Sequence, residues 1–196
     1  MANEIFVTVA DKLKMAEEAG IKFSHHTNTD NPIDFPVSAL KHTKGNLLDL
    51  AEAGEFDVIV QGCNCFNIMG GGIAREIRDR YPEVAYVDSK TEKGNHMKLG
   101  TWTSEVVIRK NGTVEFDVVN AYTQYNISRG TDVFEYTAFL LILEKLVYVY
   151  GNKRIGLPYI GMGLAGGDHE TIIPMIEEFA YRVTAKGGSV TLVEFG

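Results

Sequence analysis

Two glycine-rich segments, each lying between a strand-like and a helix-like stretch, constrain the fold of this chain most. The first glycine segment, residues 62–72 (GCNCFNIMGGG), follows the apolar, β-rich residues 57–61 and precedes residues 73–81, whose apolar positions recur every four residues. The second glycine segment, residues 161–167 (GMGLAGG), follows a short predicted strand at residues 154–158. A glycine turn that leads from a strand into a helix is typical of α/β domains.

The other periodic stretches continue this alternation. Strands are predicted at residues 101–109 and 113–120, on either side of Asn111-Gly112, a dipeptide that favours a two-residue hairpin turn. The same patterns predict helices at residues 134–150 and 171–183 and a closing strand at residues 190–195. This order of elements predicts a mixed sheet sandwiched between helices.

A change of composition separates the first part of the chain from the rest. Residues 24–36 (SHHTNTDNPIDFP) are polar and rich in turn formers, and they follow a predicted strand at residues 5–8 and a predicted helix at residues 11–19. We therefore expect residues 1–36 to form an extension packed on a main domain of residues 37–196. The length of 196 residues suits one domain with an extension.

Composition and charge exclude several classes of protein. No apolar run reaches the ~20 residues that a membrane span needs, and the first residues lack the pattern of a signal peptide. The formal charge of −7 argues against broad contact with nucleic-acid phosphates, whereas one small anionic ligand needs only local donors. We expect a cytoplasmic monomer with neither a membrane nor a nucleic acid as partner.

Cysteine usage points away from a metal site. Cys63 and Cys65 are the only cysteines, and their C-x-C spacing fits neither a disulfide framework nor a C-x-x-C motif. No second ligand pair exists, and His25 and His26 lie far upstream. We expect no metal and two buried thiols that a reducing compartment keeps free.

Glycines at the beginning of a helix favour the binding of an anion. Gly70, Gly71 and Gly72 leave backbone N–H groups uncovered, and the helix dipole adds about half a positive charge at that end. A plain tight turn is the alternative. Because both glycine segments follow strands of one predicted sheet, they would face a single crevice, where a diphosphate between two sugars could be bound from both sides.

The second glycine segment also matches G-x-G-x-x-G, the motif of dinucleotide-binding folds. That motif normally opens the first βαβ unit, with an acidic residue about 20 positions later on the next strand. Here only one predicted helix and one strand follow, and Glu194 is the sole acidic residue late in that strand. A nicotinamide-dependent oxidoreductase is therefore an alternative, whereas a Walker A loop is excluded because neither segment continues with G-K-[ST].

Five stretches carry a more specific pattern. They are residues 44–48 (KGNLL), 64–74 (NCFNIMGGGIA), 99–101 (LGT), 119–124 (VNAYTQ) and 157–168 (LPYIGMGLAGGD). In this order they resemble the motifs of the macrodomain family. The last stretch is similar to the version typical of ADP-ribose 1″-phosphate phosphatases and small ADP-ribosyl-ester hydrolases.

The resemblance implies a three-layer α/β/α sandwich with a mixed, mostly parallel central sheet, and a cleft for ADP-ribose that uses neither a metal nor a cofactor. Asn46 stands where many macrodomains place an Asp that accepts from the adenine amino group, and an amide oxygen can also accept. Phe195 would stack on adenine, with core packing as the alternative. By position, the resemblance assigns ligand contacts to Asn46, Leu47, Asn64, Met69, Gly70, Gly71, Gly72, Ile73, Ile160, Gly161, Met162, Gly163, Leu164, Ala165, Gly166 and Phe195.

Catalytic roles are assigned to Asp168, Asn67 and His169 on the same basis. The Asp168 carboxylate would act as a base or orient the labile bond, or it would cap the following helix, for which Thr171 is a competing cap. His169 would donate a proton to the leaving group, or it would be an ordinary surface residue. The main hypothesis is a hydrolase that acts on ADP-ribose 1″-phosphate or on an ester-linked ADP-ribosyl group, including one on a protein. The alternative is a module that binds ADP-ribose without turnover.

Overall fold

The structure, a computed structural model, describes residues 39–109, 112–127 and 132–196. The predicted elements at residues 5–8 and 11–19, and the proposed extension of residues 1–36, lie outside the described residues. Within the described residues, one sheet contains the strands β1 (Leu40–Lys44), β2 (Val58–Asn64), β3 (Trp102–Arg109), β4 (Val114–Gln124), β5 (Arg154–Leu157) and β6 (Ser189–Glu194).

The sheet is mixed and mostly parallel, as predicted. Its strand order is β1-β6-β5-β2-β4-β3, and every neighbouring pair is parallel except β3 and β4. These two strands form the predicted antiparallel pair, in register from Trp102 opposite Ala121 to Arg109 opposite Val114. Asn111 of the predicted hairpin turn lies outside the described residues.

Helices cover both faces of the sheet, which confirms the three-layer sandwich. Alternate residues of β2 point to opposite faces, so Ile59 packs with Leu48 and Ile77 in one core, while Val60 packs with Phe139 in the other. The helices of the first layer are α1 (Leu47–Glu52), α2 (Gly72–Arg80) and α3 (Pro82–Ser89), and those of the second are α4 (Tyr136–Tyr150) and α5 (His169–Thr184). In the described part of the chain, no helix has the length and apolar character needed to cross a bilayer.

Two helix boundaries differ from the sequence prediction. Pro82, which directly follows the helix-like stretch of residues 73–81, begins a further helix, α3, because proline fits the first turn of a helix, where no N–H is needed. The predicted helix at residues 171–183 begins earlier, at His169, because Asp168 is its N-cap. The expectation that Thr171 competes for this role is wrong, since its hydroxyl donates to the Asp168 carboxylate at 2.6 Å.

A crevice opens where β2 and β5 lie side by side at the middle of the sheet. Their ladder covers only Val58 opposite Ile155 and Ile59 opposite Gly156, although β2 continues to Asn64. The next parallel strand along the chain after β2 is β4, which lies on one side of the crevice. The next strand along the chain after β5 is β6, which lies on the other side. Ligands of open α/β sheets bind at such a switch point, beyond the carboxyl ends of the strands.

Candidate ligand-binding site

A cavity of about 460 Å³ lies between the two glycine segments at the carboxyl ends of β2 and β5. This volume is within the range of small-molecule sites. Its lining comes from these two segments, from the residues that adjoin them, and from the end of β4 and the residues after it: Gly62, Asn64, Ile68, Gly70, Gly71, Gly72, Ile73, Ala74, Gln124, Ile127, Pro158, Tyr159, Ile160, Gly161, Gly163, Leu164 and Ala165. Among the described residues, the lining includes no Lys, Arg, Asp, Glu or His.

Asn64, the last residue of β2, shapes the first glycine segment. Its Oδ1 accepts hydrogen bonds from the amides of Phe66 (3.0 Å) and Ile68 (3.3 Å), and its Nδ2 donates to the Ile68 carbonyl at 2.7 Å. Further along, the Arg78 guanidinium donates to the Met69 carbonyl at 3.0 Å. The segment is therefore fixed immediately before its three consecutive glycines.

The second glycine segment is folded tightly against the second helical layer. Gly161 has a φ of +78°, and a Cβ atom there would lie 2.3 Å from the Phe134 ring, so only glycine fits. The Gly167 amide donates to the Gly161 carbonyl at 2.8 Å, and the Ala165 carbonyl accepts from the Val133 amide at 2.9 Å. These contacts close a compact loop.

Both segments contribute cavity-lining residues whose backbone amides have no partner. Among the described residues, the amides of Gly70, Gly71, Gly163 and Leu164 donate no hydrogen bond to another residue. The first amides of α2 are also without an intrahelical partner, as at the beginning of any α-helix. The N-cap residue is Gly71, so no side chain at that position accepts a hydrogen bond from them. An anion placed between the segments would thus meet N–H groups from both sides.

Sequence reasoning located much of this lining. Of the predicted ligand residues, the structure brings together around the cavity Asn64, Gly70, Gly71, Gly72, Ile73, Ile160, Gly161, Gly163, Leu164 and Ala165. It places outside the lining Asn46, Leu47, Met69, Met162, Gly166 and Phe195.

Asn46 and Phe195 lie at the carboxyl ends of β1 and β6, farther along the same edge of the sheet. The Asn46 oxygen caps α1 by accepting from the Leu48 amide at 2.8 Å, and its Nδ2 donates to Glu76 at 2.9 Å. Phe195 is 72% exposed, so the alternative of core packing is wrong for this residue.

Asn67 belongs to the first glycine segment but is outside the cavity lining. Its Nδ2 donates to the carbonyls of Asp88 (3.0 Å) and Thr91 (3.1 Å), and its Oδ1 accepts from the Lys98 ammonium. The side chain therefore holds the segment to the adjacent structure, and the structure does not bring it to the ligand cavity.

Asp168 and His169 lie at the beginning of α5, also outside the lining. The hydrogen bond from the Thr171 hydroxyl is the main cause that holds the pKa of Asp168 below its ordinary value. Asp168 is thus an exposed, ionised helix cap. The His169 ring centroid is 6.0 Å from that of Tyr159, which does line the cavity.

Gln124 and Tyr159 carry polar groups into the lining that sequence reasoning missed. Gln124 ends β4, and its Nε2 donates to the Asn126 carbonyl at 2.8 Å. Only the strand order, which sets β4 beside β2, brings it to the cavity. The other lining residues that were not predicted are Gly62, Ile68, Ala74, Ile127 and Pro158.

Cys63 and Cys65 are free and buried, as predicted. Burial raises the pKa of both thiols, which disfavours the thiolate and hence nucleophilic chemistry. No cluster of three His, Cys, Asp or Glu suited to a metal ion occurs within the residues that the structure describes.

Comparisons with known proteins agree with this architecture. No protein-family model matches the chain. It is 29% identical over 150 residues to an uncharacterized 17.5 kDa protein from the tk–vs intergenic region of Enterobacteria phage T4, covering 74% of this chain and 92% of that protein.

Solved structures give the fold. The chain is similar to the macrodomain of Mycobacterium tuberculosis DarG, with a TM-score of 0.60 and 19% identity over 79% of this chain and 96% of the other. It is also similar to Thermosipho africanus DarTG in complex with ADP-ribose, with a TM-score of 0.61 and 14% identity over 79% of this chain and 41% of that longer one. The chain therefore has the fold of a macrodomain.

Proposed function

We propose that this protein binds ADP-ribose, free or as part of a larger molecule, in the cavity between its two glycine segments. The observation that carries the proposal is the set of unpaired amides at Gly70, Gly71, Gly163 and Leu164, residues that line one cavity from two sides. A diphosphate needs several donors in fixed positions, and backbone amides at the beginning of a helix supply them without a cationic side chain.

The chemistry of the lining suggests an orientation for the ligand. The diphosphate would lie between the two segments, and the distal ribose would lie towards Asn64 and Gln124 at the ends of β2 and β4. The adenine would lie towards the ends of β1 and β6, where the exposed Phe195 ring offers a stacking surface. The ADP-ribose complex of the similar DarTG supports this proposal at the level of the fold.

Titration calorimetry with ADP-ribose, ADP, AMP and NAD tests the proposal. We expect ADP-ribose to bind more tightly than AMP, because AMP lacks the diphosphate and the distal ribose. Equal affinity for AMP and ADP-ribose, or the absence of binding by ADP-ribose, would contradict the proposed site. Binding of NAD more tightly than ADP-ribose would favour the dinucleotide-binding alternative, although the sheet order here differs from 3-2-1-4-5-6 of that fold.

Hydrolysis of ADP-ribose 1″-phosphate, or of an ester-linked ADP-ribosyl group, is the second candidate. The proximity of His169 to the cavity-lining Tyr159 favours it, because an imidazole there could give a proton to a leaving oxygen. Phosphate release from ADP-ribose 1″-phosphate by the wild type and by His169→Ala is the test. Release by the wild type that His169→Ala slows would support the hydrolase, whereas ADP-ribose binding without any release would leave a pure binding module.

We also propose that the protein is a monomer and that it is located in the cytoplasm. The two free, buried cysteines support a reducing compartment.

A further inference from the structure

A buried charged cluster lies directly behind the first glycine segment and outside the ligand cavity. Its ions are Lys98, at the end of the short 3₁₀ helix His96–Lys98, and Asp88, in α3. Their side chains are only 7% and 3% exposed. Burial of two charges is costly, so the contacts of each one need an explanation.

The Lys98 ammonium makes its hydrogen bonds to the glycine segment and not to Asp88. It donates to the Cys65 carbonyl at 3.1 Å and to the Asn67 Oδ1, whereas the nearest Asp88 oxygen is 3.9 Å away. It also lies 4.3 Å from the centroid of the Tyr122 ring. Asp88 supplies the compensating charge and is itself bonded by the Tyr122 hydroxyl at 2.7 Å.

Asn67 shows what these bonds maintain. It has a φ of +59°, a left-handed conformation that is uncommon outside glycine. Besides its bond from Lys98, Asn67 is bonded to Thr91, whose hydroxyl donates to the Asn67 Oδ1 at 3.3 Å. The left-handed turn directs the chain from Asn67 into Ile68 and the three glycines that line the cavity.

The segment is thus fixed from two sides. Asn64 binds its backbone on the cavity side, and Lys98 binds its backbone and Asn67 on the protein side. Backbone donors bind an anion well only if they are already in place, because ordering them on binding costs affinity.

From this geometry we infer that Lys98 is a positioning residue, which holds the first glycine segment in the conformation that presents its amides to the ligand. The inference rests on the proposed function for its readout in affinity. Lys98 does not line the cavity, so it acts through the loop and not by contact with the ligand.

The test must separate positioning from general stability. Lys98→Met alone leaves the Asp88 carboxylate unpaired, so the informative variant is the double change Lys98→Met with Asp88→Asn, which leaves the net charge of the protein unchanged. Tyr122→Phe is the matched control, because it removes the bond to Asp88 and keeps both bonds from Lys98 to the segment. Asp88→Asn alone is a second control that also retains Lys98.

We expect the double variant to bind ADP-ribose roughly tenfold or more weakly than the wild type, by calorimetry, because the loop must be ordered on binding. Tyr122→Phe is expected to lower the melting temperature while its affinity stays within about twofold of the wild type. Affinities that follow the melting temperatures across all variants would overturn the inference, as would unchanged binding by the double variant.

Hydrogen exchange gives a readout that needs no ligand. Among residues 65–74, the hydrogen-bonded amides, such as those of Cys65, Phe66 and Ile68, should exchange faster in the double variant than in Tyr122→Phe, while the amides of β4 and α4 stay protected in both. If the wild type fails to bind ADP-ribose, the proposed function is wrong. The hydrogen-exchange data alone then test whether Lys98 positions the first glycine segment. Equal exchange of residues 65–74 in the two variants would refute its positioning role.

Discussion

Leu164 reaches across the cavity to Gly71, so that its Cδ1 lies 3.3 Å from the position that a Cβ atom on Gly71 would take. The Leu164 side chain is nevertheless 67% exposed. One exposed side chain of the second glycine segment thus approaches the first segment at Gly71. A bound diphosphate would be partly shielded from water by this contact, which strengthens hydrogen bonds to the amides.

Gly163 offers the cleanest steric test of the site. A Cβ atom at Gly163 would meet no atom within 4 Å, and its φ is not in the left-handed region, so a side chain fits without strain. We expect Gly163→Val to weaken ADP-ribose binding by about tenfold to a hundredfold, since hydrogen bonds to a charged group are lost. The melting temperature should stay close to that of the wild type. Gly163→Ala is the graded control, and full affinity in the valine variant would exclude this segment from the site.

A substitution at Gly161, unlike one at Gly163, should lower the stability of the protein. A side chain there would collide with the Phe134 ring and occupy a φ of +78°. We expect Gly161→Ala to lower the free energy of unfolding by about 2 to 3 kcal/mol. Urea denaturation measures this loss, and a stability equal to that of Gly163→Ala would contradict the packing described.

Gln124 is expected to distinguish ADP-ribose from ADP. If the distal ribose lies towards the end of β4, Gln124→Met should weaken ADP-ribose binding by about three- to tenfold, the value of one neutral hydrogen bond. ADP lacks that ribose and serves as the matched control ligand. An equal loss of affinity for ADP-ribose and ADP would show that Gln124 does not contact the distal ribose.

Asp168 is expected to stabilise α5 rather than to act in catalysis. Its carboxylate accepts hydrogen bonds from the Glu170 amide (3.3 Å) and the Thr171 hydroxyl (2.6 Å). We therefore expect Asp168→Ala to lower the melting temperature, and Asp168→Ser, which keeps a capping oxygen, to restore most of it. Any release of phosphate from ADP-ribose 1″-phosphate should be equal in wild type and Asp168→Ser. Loss of phosphate release in Asp168→Ser would show that Asp168 does act in catalysis.

The pairing of Asp57 and Arg154 at the beginning of β2 and β5 should make stability depend on pH. Hydrogen bonds from Arg154, at 2.6 Å from Nη2 and 2.8 Å from the backbone amide, lower the pKa of Asp57 below its unfolded value. A depressed pKa in an acid adds stability that is complete above the unfolded pKa of about 4 and is lost as the pH falls through the folded pKa.

The stability difference between wild type and Asp57→Asn should therefore be constant near neutral pH and shrink as the pH falls to about 3. Urea denaturation at several pH values measures it. Arg182 also lowers the pKa of Glu144, so Glu144→Gln should show a pH dependence of the same sign. A difference for Asp57→Asn that stays the same down to pH about 2 would contradict the lowered pKa.

The local sequence pattern was sufficient to predict most helices and strands and both glycine segments. The spacing of apolar residues predicted α2, α4 and the antiparallel pair of β3 and β4, because these patterns follow from the geometry of the backbone. The short α1 was not predicted, since its six residues begin only two residues after β1 and are stabilised by the Asn46 cap. A cap is a local contact, but Asn46 also bonds Glu76, which lies 30 residues away.

The sequence by itself determined that Gly70, Gly71 and Gly163 could offer bare amides, because glycine leaves the backbone uncovered and free to turn. Tertiary structure alone decided that these amides share one cavity with Gln124 and Tyr159, since the strand order sets β4 and β5 on either side of β2. It also decided that Asn67 faces Lys98 and not the ligand cavity. The physical reason is that a side chain's direction depends on partners distant in the chain, which no local pattern specifies.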